Sequence, residues 1–561
     1  MKRLLAAVLS VAAAAPSTAL ACGGFFCSSS PVDQQAERII FRQTSPNTVE
    51  SYVEIQYQGD PQAFAWIVPV PGVPHDMKTV SATAFQLLDL ATGPTFQLPD
   101  ECQLNAGFGA PEASDGVRGD PGPSSGGGVE VLDHRIVGDY EITTVAATKA
   151  ALLTEWLRLN GYRILDNMVP FIDLYLGEGL NFVAVKLLAG KDTSSIKPLK
   201  MVYDSATPMV PLRLTSIAAV PEMGVKVFLL GDGRYTSTSV PELHVDPSEV
   251  VFDLFSNTSN WPAAVARTID AAQGEGMVTD SAAPTDAVRA SLENTFTNPI
   301  GDEDPEAARQ ELLALLEGTK YVTRMYGRFS SEEMGVDLTF EPAGDSGGLG
   351  DVDRNRLLTR EQVPACGETS EPDPCAFVAC GQGGFCTLSP DENGILTPGC
   401  ACVDGATART VSDSNVPGGM GVSCVDVRMN VDPIRAPDGV DAPIDTAPPS
   451  LPDPCVGNPC GADGSCFALN AQQTCLCTHG FVAVAQIRVD GQLGAVCRSP
   501  AENVPSDFYR RTLPEPRLPF PGKSARGTPG SDDGCSTSGS RNAPALWLLL
   551  AAPLLRRRRR A

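Results

Sequence analysis

Apolar and polar residues alternate from Val49 to Tyr57, the two-residue period of a strand with one buried face. Ala63–Val70 (AFAWIVPV) is a short apolar run that predicts a buried strand ended by Pro69 and Pro71. Thr79–Ala91 has a helical pattern stopped by Gly93-Pro94. Val129–Val145 predicts two strands turning near Gly138-Asp139. Over Thr148–Leu159, Leu152, Leu153, Trp156 and Leu159 recur at three- and four-residue steps, which predicts an amphipathic helix capped by Gly161. Further strands are predicted at Asn181–Leu188, Leu199–Tyr203, Leu212–Ala219 and Val225–Leu230, with Gly231-Asp232-Gly233 as a hairpin turn. Asp304 before Pro305 is a helix start, and Leu312, Leu313, Leu315 and Leu316 give that helix its apolar face.

The pattern predicts an α+β fold: a large, antiparallel-β-rich N-terminal domain with a few helices over residues 22–342. Its Gly/Pro/Ser-rich stretch at 107–128 reads as a surface loop. Composition then changes. Residues 343–374 read as a linker, 375–424 as a first cysteine module, and 425–454 as a Pro/Asp-rich linker. Residues 455–497 form a second module, and 498–534 a Pro/Gly/Ser-rich stalk. The modules are an internal repeat: both begin Asp-Pro-Cys and carry six cysteines, which staple a unit too small for a sufficient core. Spacing alone leaves fifteen connectivities for each. Seventeen cysteines in 561 residues point to an oxidising compartment. The formal net charge of -25 argues against a nucleic-acid partner, since nothing neutralises phosphates in bulk.

The two ends read as addresses. Lys2 and Arg3 precede the apolar stretch Leu4–Ala15, and Ala19-Leu20-Ala21 forms an A-x-A cleavage signal before Cys22, so residues 1–21 are a signal peptide cut after Ala21. At the other end, Gly534-Cys535-Ser536 is followed by an apolar segment at 543–555 and by five arginines, Arg556–Arg560. The segment falls short of the ~20 residues that span a bilayer as a helix. In that order, the three parts of residues 535–561 resemble the MYXO-CTERM sorting signal of myxobacterial surface proteins. The resemblance implies processing and anchoring at Cys535, with the chain tied to a membrane through its C-terminal segment.

The spacing in both cysteine modules resembles the EGF-like module, whose bridges join cysteines 1–3, 2–4 and 5–6. The resemblance implies Cys375–Cys386, Cys380–Cys400 and Cys402–Cys424 in the first, although its gap from Cys386 to Cys400 is long. In the second it implies Cys455–Cys466, Cys460–Cys475 and Cys477–Cys497. Proline beside Asp373 and Asp453 replaces ligand positions of the calcium-binding subtype, which argues against calcium. The absence of clustered histidine argues against zinc. Cys22, Cys27, Cys102 and Cys366 remain, with three possible pairings. Cys22-Gly-Gly-Phe-Phe-Cys27, Pro31–Phe41, Phe64–Pro71, Leu157–Tyr162, Pro211–Ser216 and Tyr321–Tyr326 together resemble a bacterial family catalogued as domain of unknown function 2330, over about residues 22–342. That family implies a shared exported fold and no reaction.

Candidate chemistry is sparse. Gly344-Asp-Ser-Gly-Gly348 matches a protease nucleophile pentapeptide, but Ser346 needs a histidine base, and His75, His134, His244 and His479 are scattered. Asp351 and Asp353 are two acids without the rest of a calcium loop. The sequence names no catalytic residue, no metal ligand and no cofactor. The reading is an exported, surface-anchored binding or structural protein, displaying the large domain on an EGF-like stalk to an extracellular protein or glycan. The alternatives are an anchored hydrolase with an unrecognised active site and an envelope-structural protein without a discrete ligand.

Overall fold

The computed structural model describes residues 33–502 apart from 59–63, 101, 103–128, 163, 165–167, 192–195, 218, 345–349, 365, 367–371, 392, 413–419, 427–453, 470–471 and 489–492. Ala21, Cys22, Cys27, Ser346, Cys535, the 107–128 loop and the apolar segment 543–555 lie outside these residues.

The architecture is α+β and strand-rich. An eight-stranded mixed sheet runs in the order Glu242–Leu243, Met277–Pro284, Tyr321–Phe329, Ala219–Gly231, Asp33–Ser45, Thr48–Gln58, Leu199–Asp204 and Asp76–Thr79. Its central pair, Asp33–Ser45 with Ala219–Gly231, is parallel and brings together segments almost 200 residues apart. A four-stranded antiparallel sheet holds Ala65–Val70, Asn181–Leu187, Tyr140–Ala146 and Glu130–Val137. The helices of the large domain are α1 (Ala82–Thr92), α2 (Ala150–Leu159), α3 (Val169–Gly177), α4 (Leu212–Thr215), α5 (Trp261–Ala271), α6 (Thr285–Glu293) and α7 (Pro305–Leu315).

Strand alternation distributes these elements in layers. Ile39, Phe41, Val225 and Val227 of the large sheet share one core with Trp66, Val68, Ile142 and Val183 of the small sheet. The opposite face of the large sheet carries Ile40, Tyr52, Phe228, Leu230 and Val322, which pack on α1, α6 and α7. The opposite face of the small sheet carries Ile67, Val145, Phe182 and Ala184, which pack on α2 and α3. The order is helices, sheet, sheet, helices, with α5 adding Trp261, Val265 and Ile269 to the central core.

Three local expectations are corrected. Leu212–Thr215 is a turn of helix, and the strand starts only at Ala219. Leu212 and Leu214 are both buried, but Asp337 fixes the turn by accepting from the Arg213 backbone N–H at 3.0 Å and from its Nε at 2.7 Å. Gly231-Asp232-Gly233 does not close a hairpin: the next strand, Tyr235–Ser237, pairs instead with Leu338–Pro342. In α2 the inward residues are Leu153, Trp156 and Leu157, whereas Leu159 is 70% exposed.

Much of the segment read as a linker after residue 342 belongs to the packed body. Asn355–Leu357 pairs in parallel with Thr95–Gln97, and Leu358 and Val363 enter the central core. Cys366 is bonded to Cys102, closing a separation of 264 residues.

The cysteine modules are one block. The structure joins Cys375 to Cys386, Cys380 to Cys400 and Cys402 to Cys424 in the first. It joins Cys455 to Cys466, Cys460 to Cys475 and Cys477 to Cys497 in the second. Each of two four-stranded sheets takes two strands from each module, through the pairings Cys400 with Ala483 and Ala408 with Cys475. Val378, Val403, Val422, Val482 and Val484 form their common core. The first module is seated on the large domain, where the Ala376 carbonyl accepts from Asn260 Nδ2 and Arg267 Nη1, both at 3.0 Å.

Candidate functional site

Helix α1 organises the polar chemistry of the large domain. Ser81 starts it by accepting from the Ala84 N–H at 3.0 Å, and Glu303 accepts from Ser81 Oγ at 2.6 Å and from the Thr83 N–H at 2.9 Å. A carboxylate at a helix N-terminus meets free N–H groups and the positive dipole end. Together with bonds from Ser81, Thr83 and Ala82, these contacts hold Glu303 below the usual carboxylate range despite burial. At the other end, Arg354 donates to the Leu90 carbonyl at 3.1 Å and to that of Ala91, filling C-terminal acceptors.

Beneath α1 a row of charges crosses five adjacent strands of the large sheet. Register places Arg38 opposite Glu54 on one side and beside Lys226 on the other. Arg324 lies on the next strand and Asp280 on the one beyond. Asp89 of α1 stands over the three cations, 2.8 Å from Lys226 Nζ, 2.6 Å from Arg324 Nη2 and 3.5 Å from Arg38 Nη1. Arg38 also pairs with Glu54. Asp280 is wholly buried and accepts from Trp261 Nε1 at 2.9 Å. Arg324 Nη1 approaches it at 2.7 Å as an ion pair without hydrogen-bond alignment. Arg356 stacks on the Trp261 ring and donates to the Asp280 carbonyl.

Burial dominates the electrostatics of the row. It pushes Asp280 and Glu54 up, against Arg324 and Arg38 respectively, and it lowers Lys226 against the pull of Asp89. Asp89 is the exception: burial opposes its charge, yet Lys226, Arg324 and Arg38 together hold it well below the usual carboxylate range. These groups are committed to one another. The row acts as a clamp fixing α1 to the sheet, and orientation is the best-attested use of such buried ions.

The clamp leaves a cleft at the N-terminal end of α1. It encloses about 190 Å³ between α1, α7 and the strands Asp33–Ser45, Thr48–Gln58, Leu199–Asp204 and Asp76–Thr79 of the large sheet. Ile40, Phe85, Leu312 and Leu315 make it apolar, and Arg42, Lys78, Lys200, Glu50 and Glu311 add charge. Lys200 Nζ lies 3.3 Å from Glu50, and Tyr52 donates to Glu50 at 2.9 Å. Burial and the Glu50 carboxylate push the Tyr52 phenol up, so it stays a neutral donor. Lys78 and Ala314 are exposed at the mouth. The cleft combines an apolar lining, an internally paired polar group and an accessible cation; at about 190 Å³ it has room for a small group and not for a ligand of the usual ~300 Å³ or more.

Residues 16–341 match the model of a family described as an uncharacterized protein conserved in bacteria, DUF2330. The chain belongs to this family. No curated protein and no solved structure matches it. The charge row from Arg38 to Arg324 and the lining of the cleft fall within the DUF2330 match, whereas Arg354, Arg356 and Cys366, which tie α1, Trp261 and Cys102, lie beyond it. The packed body is thus longer than the matched DUF2330 region.

The other candidate residues separate. His75, His134, His244 and His479 are all exposed and lie on different segments, with His134 Nε2 3.1 Å from Glu141. Asp351 accepts from the Tyr321 hydroxyl, and Asp353 Oδ1 from the Asn355 N–H at 2.9 Å, so both acids serve local structure. Among the described residues no group of three or more His, Cys, Asp or Glu could hold a metal ion. No helix among them is long and apolar enough to cross a membrane. Sequence reading missed the charge row. Its signal was present as charged residues inside strand-forming runs, Glu37-Arg38-Ile39-Ile40-Phe41 and Tyr321-Val-Thr-Arg-Met-Tyr326.

Proposed function

We propose that this chain is an exported, surface-anchored binding protein in which the DUF2330 domain presents the α1–α7 cleft to a small group on an extracellular protein or glycan. The observation that carries this reading is the cleft. It is built on a helix fixed from both ends and from below, and rigid support is what a binding constellation needs. The cysteine modules support the setting. Two stapled units bonded 1–3, 2–4 and 5–6, docked on the domain that they follow, suit an oxidising exterior. In this reading the modules are EGF-like, residues 1–21 are removed after Ala21, and Cys535 is the anchoring point.

The mature chain, screened against cell-wall, matrix and foreign cell-surface fractions, is expected to retain at least one fraction. Ala314→Trp, which fills the mouth from an exposed helix position, and Lys78→Glu, which reverses the accessible cation, should each weaken retention about tenfold or more. Retention unchanged in both variants would move the binding surface away from the cleft. No retention, together with turnover of an envelope polymer, would replace binding by catalysis.

A further inference from the structure

The first cysteine module sits on a group of carboxyls supplied by the DUF2330 domain. Glu222 comes from the Ala219–Gly231 strand, Asp270 from the last turn of α5, and Glu332 and Glu333 from the 3-10 turn Ser331–Glu333. Glu222 and Glu333 are buried, and Asp270 and Glu332 are half-buried. Glu222 has a φ of +59°, a left-handed conformation that side chains with a Cβ rarely adopt. Such strain persists only where surrounding structure imposes it.

The module reaches these acids directly. Glu222 Oε1 lies 3.4 Å from Ser423 Oγ on the module's Met420–Asp426 strand and 3.3 Å from Ser330 Oγ. Glu333 Oε1 accepts from Gln382 Nε2 of the module at 2.9 Å, while its Oε2 accepts from the Ser330 N–H at 2.7 Å. The backbone of Asp426 bonds Glu332. The contact is close: a Cβ on Gly381, beside Gln382, would stand 2.8 Å from Ser423 Oγ and 3.5 Å from Glu222 Oε1.

The end of α5 lies against Glu333: a Cβ on Gly274, four residues past Asp270, would stand 2.5 Å from Glu333 Cβ. Carboxyls gathered in one buried seam oppose one another's ionisation. Among the described residues, Arg328, Arg267, Arg409, Asp426, Glu249 and Glu275 are further charged groups near the seam. Arg328 Nε donates to the Glu222 carbonyl at 3.1 Å. Arg267 donates to the Ala376 and Val378 carbonyls and lies 3.5 Å from Glu249. Arg409 and Asp426 are buried on the module's own strands, and Arg409 stands opposite Ser423. Glu275, just past α5, is exposed.

We propose that this seam is a proton-dependent latch, in which protonated acids under the first module keep it docked and their ionisation releases it from the DUF2330 domain. Burial first, and the Glu222 charge after it, push Asp270 and Glu333 well above the usual carboxyl range. Burial pushes Glu332 up to about 7. Acids raised in the docked state bind more protons there than in the released state. Docking is therefore strongest in acid and weakens as pH rises through the released-state value toward the docked-state one. Because the two modules share sheets, they would leave together.

The test uses the full mature chain with its disulfides intact. Hydrogen exchange at the Asp426 amide, which bonds across the seam, corrected for the intrinsic effect of pH, should rise about tenfold or more between pH 5.5 and 8.5. The Asp270→Asn/Glu332→Gln double variant, which leaves Glu333 to titrate, should show a clearly smaller rise over that range. Glu332→Gln alone, at a half-buried position, serves if the double variant fails to fold, and should reduce the rise. A flat wild-type profile, or equal rises in wild type and variants, would overturn the latch.

Discussion

Asp89 is the residue on which the clamp depends. Three cations converge on it from three adjacent strands, and its charge is favoured although burial opposes it. A carboxyl lowered by folding stabilises the fold above its unfolded value of about 4, and that contribution is lost as pH falls through the folded value. Urea unfolding of the wild-type chain should therefore weaken as pH drops from about 5 toward 2, by an Asp89 share of order 2 kcal/mol. Glu54 and Asp280 shift the other way, so the variant comparison isolates Asp89. Asp89→Asn leaves buried cations under-compensated, and should cost about 3 kcal/mol at pH 7 and flatten the acid slope. An unchanged slope would mean that the clamp is not held by the Asp89 charge.

At the scale of elements, α1 shows how local chemistry sets position. Ser81 satisfies one N-terminal donor and passes a bond to Glu303, which satisfies more. Ser81→Ala should cost about 1 kcal/mol in thermal or urea unfolding, the usual weight of an N-cap. It should also weaken ligand retention, since Ser81 lines the cleft. Stability unchanged by this substitution would show that Glu303 alone caps the helix. Elements with a strong period were legible in the sequence: Thr48–Gln58, the Glu130–Val137/Tyr140–Ala146 hairpin and α7. Leu212–Thr215 was not, because two alternating leucines fit a strand as well as a helical turn, and Asp337, over a hundred residues away, decides between them. The same reason hid the clamp. Each charge sits in an ordinary strand or helix, and only long-range register aligns them. The residues after 342 read as linker because polar and Gly-rich stretches flank them, yet Arg354, Arg356 and Cys366 each find a partner in the large domain.

On the scale of the whole molecule, the chain reads as modules in series, while the structure folds them onto one another. The repeat of six cysteines was plain in the sequence, but nothing in it showed that the modules complete each other's sheets or that the first rests on buried acids. The described part is a family domain extended to Cys366 and carrying a docked block of two stapled modules. Fourteen cysteines are bonded in it as seven disulfides. Such a body suits a life outside the reducing cytosol. The most direct test of the proposed surface display is the intact mass of the protein taken from its native envelope without reduction. The account predicts a chain beginning at Cys22 and ending near Cys535, with or without an attached anchor, and with these fourteen thiols oxidised. A mass that retains residues 1–21 and the five arginines, with alkylatable thiols, would contradict it.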